Sequence, residues 1–244
     1  MSVKPYNNLV GSKKEQVTDM FNQIAPRYDL LNRLLSFGID RLWRRRVIGL
    51  LSDLKMPYLL DVATGTADLA IEEASKLRTT LIYAVDISSK MLEIGWQKIV
   101  CRGLQHTVFL KEADSEALPF DKNTFDAITV AFGVRNFGDL GNGLAEMQRV
   151  LRPGGRLVVL EFSHPSAFPM KQLYGFYFKQ ILPWLGGLIS GHKAAYRYLP
   201  DSVYNFPEGE AFLDELRKAR LNPTRQWRQT FGIATIYVAE KPVQ

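Results

Sequence analysis

From residue 58 onward, short and nearly unbroken apolar runs alternate with segments of helical period, and few folds accept that alternation. The runs 58–63, 81–85, 107–110, 125–132 and 157–162 read as strands. Between them, 67–77, 88–100 and about 140–151 read as helices. A strand that is apolar on both sides must be covered on both faces, so the expectation is an α/β fold with a parallel sheet and helices on either side. A last helix, 209–219, precedes two strand-like runs, 224–228 and 233–239, which are expected to close the sheet as an antiparallel pair.

What precedes and interrupts this alternation is different in kind. Val17, Met20, Phe21 and Ile24 form a helical stripe that Pro26 is expected to end. Leu30, Leu31, Leu34 and Leu35 form a second stripe, stopping near Gly38. Asp40 is placed to cap a third helix with stripe Trp43, Val47, Leu50 and Leu51. These helices come before the first strand, so residues 1–54 read as a cover. Residues 165–206 break the rhythm again, with Pro165, Pro169, Pro183 and Pro200 set among Phe168, Tyr174, Phe176, Tyr177, Phe178 and Trp184. They read as an insertion before the last helix. With 244 residues, 46% of them hydrophobic, and no linker-like stretch, the chain is expected to be a single domain, 1–244.

Composition narrows the chemistry. The single cysteine, Cys101, forms no internal disulfide and suits a reducing cytoplasm, and His106, His164 and His192 lack ligand spacing, so no metal site is expected. The most apolar stretch, 181–191, is about half the ~20 residues that a membrane span needs. A net charge of +6 favours anionic partners. The cluster Arg41, Arg44, Arg45 and Arg46 reads as a solvated helix face, and no nucleic-acid-binding signature accompanies it.

Three polar sites fall at expected strand ends, where open α/β sheets bind ligands. The first is the turn Asp61-Val-Ala-Thr-Gly-Thr-Ala-Asp68. Gly65 permits close approach of the backbone, and Thr66 adds a hydroxyl. The dinucleotide fingerprint G-x-G-x-x-G is absent, and Asp61 suits a cationic amino acid moiety better than a pyrophosphate. The second is Asp86, about 20 residues on, where a carboxylate can accept ribose hydroxyls or cap the next helix. The third is Asp114-Ser115, able to read an adenine edge.

Together these sites resemble those of the class I S-adenosylmethionine (SAM)-dependent methyltransferases, as do Asp121-Lys-Asn-Thr-Phe-Asp126 and Val150-Leu-Arg-Pro-Gly-Gly155. In the latter, 153–155 read as a turn between helix and strand. A narrower resemblance is carried by Tyr28-Asp-Leu-Leu-Asn32, Ser36-Phe-Gly-Ile-Asp40, Glu116-Ala-Leu-Pro-Phe120, Phe132-Gly-Val-Arg-Asn136, Leu160-Glu-Phe-Ser163 and Tyr196-Arg-Tyr-Leu199. In that order they are similar to the ubiquinone/menaquinone-biosynthesis C-methyltransferase family, from about residue 15 to 240. The resemblance implies a Rossmann-like sheet, SAM as cofactor, and a polyprenyl quinol as partner, with demethylmenaquinol ahead of a benzoquinol. It places SAM contacts on Thr66, Asp86, Asp114 and Ser115, beside Asp61 and Gly65. Two positions depart from it. Ala67 stands where many relatives have glycine, which is tolerable at an ordinary negative φ, and Ala131 stands where some have serine.

The chemistry implied is attack by a ring carbon made nucleophilic when the adjacent hydroxyl ionises, from a phenolic pKa of roughly 10. Arg135 is the candidate phenolate stabiliser, with Asn136 to orient the oxygen and Tyr28 to line the ring pocket or relay a proton. His164, just before Pro165, reads as structural. The aromatics of 165–199, with Lys171, Lys179, Lys193 and Arg197, suit peripheral contact with the inner face of a membrane, and equally a core or a homodimer interface. A SAM enzyme acting on another lipid or small molecule stays open at this point, as does a nonenzymatic quinone-binding protein of the same fold.

Overall fold

The computed structural model describes residues 3–6, 11–36, 38–79, 81–177, 180 and 193–243. The stretch 181–191, Phe178, Lys179, Trp184 and His192 lie outside the described residues, as do the side chains of Leu31, Leu34, Leu35, Lys193 and Arg197.

Seven strands form one sheet in the order β3-β2-β1-β4-β5-β7-β6. β1 (Tyr58–Val62), β2 (Leu81–Asp86), β3 (Val108–Glu112), β4 (Phe125–Ala131) and β5 (Leu151–Phe162) run parallel. β7 (Ala234–Glu240) is antiparallel to both β5 and β6 (Asn222–Gln229). The order reverses between β1 and β4, so a crevice opens there at the carboxyl ends of the strands.

The alternation of side chains along each strand builds two cores. Leu60, Val62, Leu157 and Val159 face α5 (Leu140–Val150) and the late helix α8 (Glu210–Lys218), meeting Leu144, Met147, Phe212 and Leu216. Leu59, Ala84, Val158 and Leu160 face the other way, onto α2 (Asp40–Gly49), α3 (Asp68–Lys76) and α4 (Ser89–Cys101), where Trp43, Val47, Ile71 and Ile99 are buried. The expected sheet and helices are therefore present, with ends shifted by one to two residues in most cases.

The cover differs from expectation. α1 runs unbroken from Lys13–Leu35 with Pro26 inside it. Proline removes one amide donor, but Pro26 lies on the exposed side, where a freed carbonyl meets water. The opposite side, Val17, Met20, Ile24 and Ala25, packs on Met91 and Tyr198, and that burial outweighs the local penalty. Ser12 and Glu15 cap the helix reciprocally: the Ser12 amide donates to Glu15 (2.8 Å) and the Glu15 amide to the Ser12 hydroxyl (3.2 Å).

Other local readings change as well. Asp40 is not a cap but the first residue of α2, accepting from Ser36 Oγ (2.6 Å) and pairing with Arg44 (2.8 Å). Arg44 also reaches Asp68 (3.5 Å) and Glu72 (3.6 Å), so it ties α2 to α3 rather than facing solvent. The segment 153–155 lies inside β5 as a bulge: Phe125 pairs with Leu151, yet Ala127 pairs with Arg156. The insertion supplies α6 (Met170–Phe176) and α7 (Lys193–Asn205), the latter holding Pro200.

Candidate active site

The glycine turn lies between β1 and α3 in a strained backbone. Gly65 adopts φ +57°, and the non-glycine residues Ala63 (φ +54°), Ala67 (φ +61°) and Phe132 (φ +59°) share the left-handed region. The negative φ expected of Ala67 is therefore not what the chain adopts. Such residues cost about 1–2 kcal/mol each, and their gathering at two adjacent strand ends marks a site that the surrounding packing holds in place. Gly133 belongs to the same knot, since a Cβ there would sit 2.5 Å from that of Ala63.

Asp86 closes β2. Its carboxylate accepts the Gly65 amide and the Ser88 amide, both at 2.8 Å, so it fixes the turn and the start of α4 together. Burial pushes its carboxyl up, against the pull of these amides. Asp61 is 1% exposed and lines neither cavity described below. It holds the turn from beneath, accepting from Thr64 Oγ1 (2.6 Å) and Thr129 Oγ1 (3.2 Å). Burial pushes it up to about 7. Behind it, on α3, the Glu73 carboxyl is fully buried with neither oxygen hydrogen-bonded among the described residues.

Two cavities open at the strand ends. The smaller, about 80 Å³, is lined by Gly65, Asp86, Asp114, Ser115 and Met91. The larger, about 350 Å³, is bounded by Thr66, Arg135, Phe162, Leu173 and Tyr198. Tyr28, Phe132 and Asn136 border both, so the two cavities meet at these side chains. Six of the residues singled out from sequence thus border the smaller cavity, namely Tyr28, Gly65, Asp86, Asp114, Ser115 and Asn136, while Thr66 and Arg135 belong to the larger.

α1 crosses this edge and touches each strand end with a polar side chain. Lys14 pairs with Asp114 (2.5 Å) and Glu116 (3.2 Å). Asn22 Oδ1 accepts from Ser88 Oγ (2.7 Å), and Asp29 accepts from Thr66 Oγ1 (2.6 Å) and Lys98 Nζ (2.9 Å). No local pattern signals these partners, which lie 37 to 102 residues apart along the chain.

In the larger cavity, Arg135 Nη1 donates to Glu161 Oε1 (2.6 Å) and to the Phe132 carbonyl. Glu161, quoted above only within a motif, is fully buried and holds the guanidinium in place. Burial raises its carboxyl and the Arg135 charge opposes the rise. Arg135 Nε and Asn136 Oδ1 are buried without a partner among the described residues. Tyr28 bonds Asn32, and burial pushes its phenol up, so it is neutral at neutral pH and acts as a hydrogen-bonding group rather than a base. His164 stays outside both cavities, paired with Glu208 (3.3 Å).

The chain matches the ubiE/COQ5 methyltransferase family over residues 9–241. The protein belongs to that family. It is 46% identical over 239 residues to a demethylmenaquinone methyltransferase of Bacteroides fragilis, covering 98% of this chain and 97% of that one. It is 48% identical over 223 residues to the Thermus thermophilus protein of the same name, covering 91% and 100%. A ubiquinone/menaquinone biosynthesis C-methyltransferase of Geobacter sulfurreducens is 47% identical over 230 residues, covering 94% and 90%. Among solved structures, the [4+2]-cyclase SpnF superposes with a TM-score of 0.71 at 18% identity, over 97% of this chain and 98% of that one. A geranyl diphosphate methyltransferase in complex with SAM does so at 0.61 and 16%, over 85% and 88%. These establish the class I methyltransferase fold, and the family establishes the protein as a methyltransferase.

Proposed function

We propose that the protein transfers the methyl of SAM to a ring carbon of a reduced polyprenyl quinone, with demethylmenaquinol as substrate. The observation that carries this reading is the meeting of the two cavities at Tyr28, Phe132 and Asn136, beside Arg135 Nε and Asn136 Oδ1, which have no partner among the described residues. A buried polar atom without a partner is costly, and a ligand oxygen at that point would satisfy both.

The residues along the smaller cavity suit SAM. Asp86 would hold the ribose diol, with Asp114 and Ser115 toward the adenine edge, and the Gly65 turn leaves room for the main chain to approach. Asp61 acts through Thr64 as a positioning residue rather than by contact. When bound, SAM supplies an electrophilic methyl on a sulfonium. The protein's part is to prepare the ring. Arg135 stabilises the phenolate at its oxygen, and Glu161 fixes the plane of the guanidinium. Asn136 Oδ1 would accept from the same oxygen only while it is a hydroxyl, orienting it before it ionises, and Tyr28 and Phe132 flank the passage between donor and ring.

The mouth of the larger cavity is greasy. Leu173 lines the cavity and is itself exposed, and Phe168 and Phe176 stand out from the same segment beside Lys171. Exposed apolar side chains among lysines suit a membrane surface from which a prenylated ring could enter. No helix among the described residues is long and apolar enough to cross a membrane. The names of the Bacteroides and Thermus relatives favour the naphthoquinol over a benzoquinol.

The test is to supply methyl-labelled SAM with demethylmenaquinone, with and without reductant, and to locate the methyl by mass spectrometry. The reading predicts C-methylation of the reduced form. Equal activity on the oxidised ring, or a methyl on oxygen, would overturn it.

A further inference from the structure

Tyr196-Arg-Tyr-Leu199 has no part in the chemistry so far, yet it brings a phenol into the substrate cavity. Tyr198 sits on α7, only 4% exposed, with its ring among Val17, Met20 and Ile24 of α1. It nevertheless borders the larger cavity. Its hydroxyl oxygen is buried and has no hydrogen-bond partner among the described residues. α7 packs on the turn 134–136, and the phenol feels the charges of Arg135 and Glu161 without bonding either. Burial pushes its phenol up to about 12, so the group keeps its proton and can donate.

Arg135 and Asn136 provide for one oxygen. A quinol has two, on opposite sides of a rigid ring, and the second enters the cavity as a buried hydroxyl that also needs a partner. A phenol without a partner among the described residues, set apart from the Arg135–Glu161 pair but within reach of its field, answers that need. We infer that Tyr198 is a substrate-binding residue whose hydroxyl hydrogen-bonds the second quinol oxygen, selecting a para-diol over a ring carrying one hydroxyl. This rests on the quinol reading above. A site built to hydrogen-bond a substrate hydroxyl discriminates against the analogue that lacks it, because its own polar group is then left unpaired.

The experiment compares wild type with Tyr198→Phe, which keeps the ring packing and removes one oxygen. The substrates are a short-chain 3-prenyl-1,4-naphthalenediol and the 3-prenyl-1-naphthol that keeps only the hydroxyl beside the reacting carbon. The expected result is a fall of about 10-fold in kcat/KM on the diol, as for loss of one good hydrogen bond. Activity on the mono-ol and SAM affinity by calorimetry should hold, the latter also confirming that the variant folds. The diol-to-mono-ol ratio therefore drops by the same factor. An equal fall on both substrates would make Tyr198 a packing residue and overturn the inference, as would no change on either. A wild type that binds SAM but methylates neither ring would overturn the quinol reading and this inference with it, whereas an active wild type with an unaffected variant removes Tyr198 alone.

Discussion

Glu73 is an uncomfortable side chain where it stands, and replacing it should stabilise the fold. It is fully buried on α3, neither oxygen is hydrogen-bonded among the described residues, and Asp61 lies close enough to repel its charge. Burial, then Asp61, push its carboxyl well above the ordinary value of 4.5, against a smaller pull from the nearby Thr129 hydroxyl, which itself donates to Asp61. Glu73→Met keeps an unbranched side chain of similar length and removes the polar atoms. Relieving a buried, unsatisfied group is worth about 1–3 kcal/mol. A pH-dependent part adds to this. A carboxyl raised on folding contributes stability only below its unfolded pKa, and that contribution is lost as pH rises toward the folded one. The wild type therefore loses about 1.4 kcal/mol per pH unit above pH 4.5 from this group, until Glu73 ionises in the folded state or Asp61 responds. The variant should exceed wild type by a margin that grows between pH 5 and 7, and at about 2–4 °C per kcal/mol for a chain of this size the midpoint should rise by several degrees at neutral pH. Glu73→Gln serves as the control: it removes the titration but keeps a buried polar group, so its margin over wild type should grow with pH in the same way, while Met should exceed Gln by an amount that is flat with pH. Urea and thermal unfolding across that range measure both. A Met variant less stable than wild type at pH 7, or a margin that does not change with pH, would show that the carboxyl has a partner and refute the reasoning.

Five other outcomes follow. Asp86→Ala should weaken SAM binding by about 10- to 100-fold, since charge-assisted contacts contribute about 1.5–3 kcal/mol each, and an unchanged calorimetric titration would remove Asp86 from the site. Because burial raises the Asp86 carboxyl, SAM affinity should also decline as pH falls through that raised value, with the same titration showing it. Arg135→Lys keeps the charge but loses the planar fork that Glu161 holds, so turnover should fall far more than SAM affinity, and wild-type turnover in both Arg135→Lys and Arg135→Ala would exclude its catalytic role. Lys14→Ala frees the Asp114 carboxylate and should speed SAM association in stopped-flow fluorescence, a slower association arguing instead that Lys14 helps hold the ligand. Flotation with anionic vesicles at low salt should carry the protein upward, and its absence would count against the membrane reading.

The sheet was legible because buried parallel strands leave an apolar signature on both faces, as in β4 and β5, and because helices between them keep their own period. Asp86, Asp114 and Ser115 could be placed because a site at strand ends is ordered by the chain itself. Local rules failed where tertiary packing overruled them. Pro26 does not end a helix whose apolar side is buried on Met91 and Tyr198. Ala67 takes the backbone of a glycine, at φ +61°, because the turn is fixed on both sides. Asp61 looked like a ligand contact because its position in the strand is legible and its depth is not. Glu161, Asp29, Lys14 and Tyr198 acquire roles only through partners far along the chain, and no periodicity encodes those distances.

The division of labour within the molecule follows from the same contrast. Solved structures that share this fold at 13–18% identity include a cyclase, so the sheet does not by itself decide the chemistry. What is particular here lies on the cover. α1 meets the ends of β3, β2 and β1 with Lys14, Asn22 and Asp29, spaced about two helical turns apart, so one helix spans the whole cofactor edge. The same helix sends Phe21 and Tyr28 into both cavities. α7 closes the other side with Tyr198, and the turn after β4 supplies Arg135 and Asn136 between them. The larger cavity is thus lined by the cover together with the turns at the strand ends. A change of substrate within this fold can therefore come from the cover while the sheet, its two cores and the strained turn stay as they are.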